Sequence, residues 1–175
     1  MRNSGEAHRA LGGIASYASG QGPDRRRVMI KNVSLLTVWV NDMDAALEFY
    51  TTKLGFELRA DVTVGDYRWL AVGLPDRPEV SVNLALPGPP LDDESAGFVK
   101  RMMAKGSMGA GGLNVDDCRK TYEELTAKGV EFVSEPADRP YGVEAVMRDN
   151  SGNWWVLVEQ KAYRPEDFGP EAKTG

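Results

Sequence analysis

One stretch of this chain occurs twice. Val40-Asn41-Asp42 opens a helical segment that closes at Leu54-Gly55-Phe56-Glu57, and Val115-Asp116-Asp117 opens another that closes at Lys128-Gly129-Val130-Glu131-Phe132. The two openings lie 75 residues apart and the two closing glycines 74. Each copy reads strand, helix, then further strands, so one supersecondary unit has been used twice. The expected class is α+β, with paired βαβββ modules forming a curled mixed sheet around a cleft. What such a cleft can do depends on the side chains that face it.

The punctuation of each copy supports this reading. Residues 33–40 are rich in β-branched and apolar types bounded by polar ones, which predicts a strand. Asn41 or Asp42 suits a helix N-cap. Met43, Ala46, Leu47, Tyr50 and Leu54 then recur at helical spacing as one apolar stripe, and Gly55 is a left-handed stop. Strands are expected at 56–64, 67–73 and 80–86. Residues 87–90 break the chain, and Asp92-Asp93-Glu94 favours the start of a connecting helix that ends near Lys105-Gly106. Module two begins near Met108. Its helix, 117–128, is expected to bury Cys118, Thr121, Tyr122 and Leu125, with strands at 130–135, 143–148 and 153–159. Asp149-Asn150-Ser151-Gly152 between the last two is a tight-turn signature. The boundaries are therefore a module at about 32–87, a connecting helix at about 91–106 and a second module at about 108–160, within a domain spanning 29–161.

The termini read differently. Residues 1–28 are rich in Gly, Ser, Ala and Arg without the apolar core of a signal peptide, which predicts a disordered leader. Residues 162–175, with Pro165, Gly169 and Pro170, read as a frayed tail. Over all 175 residues the net charge is −5, with both signs interspersed. That argues against nucleic acid or an anionic membrane as partner, because each needs a basic face. The single cysteine, Cys118, excludes an intrachain disulfide and suits a reducing cytoplasm.

The pattern resembles the vicinal oxygen chelate superfamily, which includes glyoxalase I, bleomycin-resistance proteins and extradiol dioxygenases. The residues that carry the resemblance are Val40-Asn41-Asp42, Phe49-Tyr50, Leu54-Gly55-Phe56 and Asp149-Asn150-Ser151-Gly152-Asn153. Their order and spacing cover nearly the whole of 33–159. Enzymes of that superfamily generally hold a divalent metal with four side chains, usually His, Glu or Gln, one on each of four cleft strands. The resemblance places those positions at Leu35, Asn83, Ala110 and Val156. Three of the four are hydrocarbon, and a lone neutral amide is a weak ligand. The only histidine is His8, in the leader. The expectation is therefore a chain with no metal and no cofactor, the alternative being a divalent metal at an atypical site.

Strand alternation gives the neighbours of those positions. Thr37 and Trp39 share a face with Leu35, Ser81 and Ala85 with Asn83, Gly112 and Asn114 with Ala110, and Trp154 and Val158 with Val156. The expected ligand-binding set is Thr37, Trp39, Ser81, Asn83, Asn114 and Trp154, a neutral surface suited to a flat, partly apolar molecule. The same tryptophans equally suit filling the volume of a metal site, or a subunit interface. No catalytic residue stands out: Glu57, Asp61, Tyr67, Arg68, Tyr141, Glu144 and Arg148 form no convincing acid–base pair, and Cys118 falls on an apolar stripe as a buried thiol. Three functions follow: metal-free small-molecule binding of the sequestration or resistance type, a glyoxalase-like lyase or isomerase with an atypical or absent metal, and a degenerate member acting through protein interaction. The resemblance also implies a homodimer whose copies complete each other's cleft.

Overall fold

The computed structural model describes residues 30–169; the expected leader lies outside them. Two βαβββ modules follow one another. The first comprises β1 (Leu35–Trp39), α1 (Met43–Glu48), β2 (Glu57–Val64), β3 (Tyr67–Gly73) and β4 (Ser81–Ala85). After α2 (Asp93–Ala104) the second comprises β5 (Met108–Asn114), α3 (Cys118–Ala127), β6 (Glu131–Arg139), β7 (Gly142–Arg148) and β8 (Asn153–Gln160). Each module forms a four-stranded mixed sheet, in the orders β1-β4-β3-β2 and β5-β8-β7-β6. In each, only the pairing of the first strand with the last is parallel. Neither sheet closes on itself.

The repeat extends to single hydrogen bonds. Asp42 Oδ1 accepts from the Ala45 amide and Asp117 Oδ1 from the Lys120 amide, both at 2.9 Å. Each carboxylate satisfies an amide that the first helical turn leaves unpaired. Gly55 and Gly129 both take φ of 74°, the left-handed conformation that ends each helix. The two helix ends also meet: Lys53 Nζ donates to the Gly129 carbonyl at 3.4 Å, and Lys128 Nζ to the Lys53 carbonyl at 3.2 Å.

The modules share one core. Val38, Val40, Leu70, Val72, Val82 and Leu84 of the first sheet join Ala145, Met147, Trp155 and Leu157 of the second in a single buried cluster. Burying side chains of this size stabilises by about 1.5–3 kcal/mol each before entropy is counted. Alternation then sends the intervening residues of each sheet to its other face.

Two local departures from regular periodicity shape the result. After Glu48 the first helix widens into a π-helical turn, Phe49–Lys53. There Thr51 Oγ1 and Thr52 Oγ1 donate to the carbonyls of Leu47 and Glu48, at 2.7 and 2.6 Å. Such back-bonding by hydroxyls competes with the helical ladder. The wider turn lets neighbouring Phe49 and Tyr50 both reach the core, where an unbroken stripe had included only Tyr50. In β5 the register against β8 slips between Gly109 and Gly111, so Gly109 opposes Trp154 while Gly111 opposes Trp155. Ala110 is the extra residue of this bulge, and it packs against the core. The expectation that Ala110 shares the outward face of Gly112 and Asn114 is thereby corrected.

The 149–153 turn fastens the modules together. Buried Asp149 accepts from the amides of Ser151 and Asn153 at 2.9 Å and from Tyr50 Oη at 2.8 Å. Trp155 Nε1 donates to Tyr50 Oη at 2.9 Å. Asn153 Nδ2 reaches across to the Trp39 carbonyl at 2.9 Å, and Ser151 Oγ accepts the Asn41 amide at 3.1 Å. The end of β1 is thus held by module two.

Candidate binding groove on the first sheet

Parallel pairing of β1 with β4 sets Thr37 beside Asn83 and Trp39 beside Ala85. These residues lie on the face of the sheet opposite Val38, Val82 and Leu84, and they form the floor of a groove of about 660 Å³. Met43 at the start of α1, the β2–β3 hairpin at Val64, Asp66 and Tyr67, and the Leu86–Pro90 segment supply the walls. The volume falls within the range of pockets that take small organic ligands.

Asn83 is 6% exposed, and its Oδ1 has no hydrogen-bond partner. A buried polar atom left unmatched costs about 1–3 kcal/mol, so such atoms call for an explanation. Each of the three guanidinium nitrogens of Arg68, also on the lining, has an acidic partner. Its Nε and Nη2 grip Asp61 at 2.8 Å each, and its Nη1 meets Asp44 at 2.7 Å. Those hydrogen bonds hold the Asp61 carboxyl below its usual range and raise the guanidinium further above its own.

Of the six residues expected to contact ligand, Thr37, Trp39 and Asn83 line this groove. Ser81 is half-buried two residues before Asn83, beside Leu35 in the register. Asn114 and Trp154 belong to the second sheet and line no part of it. Trp154 is 38% exposed, alternating with buried Trp155, and its indole lies over Gly109, where a Cβ would come within 2.6 Å of the ring. The sequence reading missed Met43, Asp66 and the Pro89-Pro90 wall. The proline run registers in a sequence as a chain break, and nothing in it says that the break folds back over the sheet.

The residues present do not suit the divalent ion of the superfamily's enzymes. Leu35 and Val156 offer hydrocarbon, Ala110 points into the core, and Asn83 supplies one neutral oxygen. Among the described residues no three His, Cys, Asp or Glu side chains gather as a metal site. Three of the other titratable candidates are occupied or enclosed. Tyr141 Oη donates to Glu144 at 2.5 Å, Arg148 pairs with Glu131 at 2.7 Å, and burial pushes the Cys118 thiol up.

Residues 32–157 match the family model of the Glyoxalase/Bleomycin resistance protein/Dioxygenase superfamily. The chain belongs to that superfamily. Its relatives include YurT of Bacillus subtilis (strain 168), 34% identical over 129 residues, covering 73% of this chain and 98% of YurT. Among solved structures, UcmS2 is 48% identical with a TM-score of 0.71, covering 75% of this chain and 100% of UcmS2. TnmS3, an antibiotic binding protein from Streptomyces sp. CB03234, is 28% identical with a TM-score of 0.62, covering 76% of this chain and 98% of its own. Within the superfamily, this member keeps the paired modules, and three of the four positions that the resemblance marks for metal ligands, Leu35, Ala110 and Val156, are apolar.

Proposed function

We propose that this chain binds a flat, partly apolar organic molecule in the groove of its first sheet, without a metal ion, as a sequestering or resistance-type protein of the cytoplasm. The observation that carries the reading is the groove itself: an open volume of about 660 Å³ with Trp39 on its lining and the unmatched oxygen of Asn83 at its floor. An indole face gives stacking, and a buried amide gives direction. That TnmS3 is an antibiotic binding protein supports the same class of ligand. An open groove also speaks against a cleft plugged by its own tryptophans.

A second copy completes the site in this proposal. Trp154, Val156 and Val158 lie on the outward face of the second sheet, alternating with core residues Trp155 and Leu157. An exposed indole flanked by valines suits a lid on the partner's groove.

The test is a titration of the purified chain with a panel of flat aromatic natural products, read by calorimetry and tryptophan fluorescence. At least one compound should bind, and Trp39→Ala should weaken it about tenfold, the equivalent of one good stacking contact. A panel in which nothing binds would remove the reading. A native mass spectrum showing a stoichiometric, chelator-sensitive metal would remove its metal-free part.

A further inference from the structure

Resting on the binding reading above, we infer that the groove selects uncharged or cationic ligands that carry an N–H or O–H donor, and excludes anions. The charged groups on the described lining leave an anion unpaired and the cation engaged. Asn83 Oδ1 is buried and unmatched. Asp66 lines the wall and makes no ion pair among the described residues. The only cation on the lining is Arg68, and its fork is filled by Asp61 while its third nitrogen is held by Asp44.

Two carboxylates thus hold the one guanidinium, and a third, Asp66, stands unpaired on the wall. An incoming carboxylate or phosphate would meet the field of Asp66 and find no unpaired cation on the described lining. To recruit Arg68 it would have to displace two short, charge-assisted hydrogen-bonding partners. A ligand N–H or O–H has the opposite fate, since the acceptors it needs are already in place. A cationic ring gains twice, from the surplus of negative charge and from the indole face of Trp39.

The test uses one planar skeleton in four charge and donor states: acridone, N-methylacridone, 9-aminoacridine and acridine-9-carboxylate, titrated into the full chain by calorimetry. Acridone and 9-aminoacridine should bind about tenfold or more tighter than the carboxylate, the scale on which like-charge juxtaposition acts. N-methylacridone, which lacks the donor, should bind more weakly than acridone, and Asn83→Leu should erase that difference. Freeing the guanidinium with Asp44→Asn and Asp61→Asn together should strengthen carboxylate binding about tenfold. A carboxylate that binds the unmodified chain as tightly as acridone overturns the exclusion of anions. N-methylacridone equal to acridone overturns the need for a donor. In both cases the groove remains a binding site, whereas failure of all four compounds removes the binding reading itself.

Discussion

The Tyr50 hydroxyl donates to Asp149 and accepts from Trp155, so one phenol links the first helix to the last turn and the last strand. Burial first, and then the neighbouring Asp149 carboxylate, hold its pKa well above the ordinary 10.0. The sign of the pH effect follows. The folded chain keeps the phenol neutral while the unfolded chain ionises near its ordinary value. The contribution is therefore complete below about pH 10 and shrinks as pH rises from there toward the folded value. Tyr50→Phe should cost about 1.5–3 kcal/mol at neutral pH, the worth of a hydrogen bond to a charged group. It should also flatten the alkaline limb of a urea-midpoint profile. A variant with an unchanged midpoint would mean that the bond to Asp149 contributes nothing net. The sequence places Tyr50 on an apolar stripe but gives no hint of its partners, because Asp149 lies 99 residues away. The same limit applied to Asn83, whose position on a cleft strand is legible and whose missing partner is a property of the folded surroundings.

At the scale of elements, the duplication made both modules readable. Matching N-cap aspartates and stop glycines bracket each helix, and every expected strand has a counterpart. What escaped were the two irregularities. Phe49 was left off the apolar stripe because helical spacing assumes 3.6 residues per turn, and the π-helical turn breaks that count. The β5 bulge escaped because alternation assumes an uninterrupted ladder, and a run with Gly109, Gly111 and Gly112 carries too few side chains to reveal a slip. The 149–153 turn was recognised as tight, but its rigidity comes from contact. Gly152 takes φ of 90°, and a Cβ there would lie 2.3 Å from the Met103 carbonyl oxygen. Gly152→Ala should therefore lose about 3 kcal/mol, combining backbone strain with a clash against α2. Thermal denaturation measures this, and a shift within error would show that the turn relaxes at little cost.

For the whole molecule, the open question is what covers the two outward faces. Leu35, Val62, Val64 and Tyr67 are exposed in the first sheet, as are Val133 and Trp154 in the second. If a second copy covers them, sedimentation should report a dimer at micromolar concentration. Trp154→Glu, placing a charge at the centre of the proposed contact, should shift it to monomer and weaken ligand binding while leaving the far-UV spectrum intact. A wild-type monomer with full affinity would mean that one chain makes the whole site. Among the described residues no helix is long and apolar enough to cross a membrane.

The two copies of the unit no longer do the same work. Among the described residues, the turn of the first module at 75–78 makes no hydrogen bond to the second. Its counterpart at 149–153 holds both Trp39 and Asn41 of the first. The lysines at the helix ends, by contrast, stay reciprocal, each closing a carbonyl of the other module. On the proposed reading, one copy is the receptacle and the other its clasp. Such an arrangement leaves the groove free to change its lining residue by residue, since the contacts that hold the end of β1 in place are encoded in the other half of the chain.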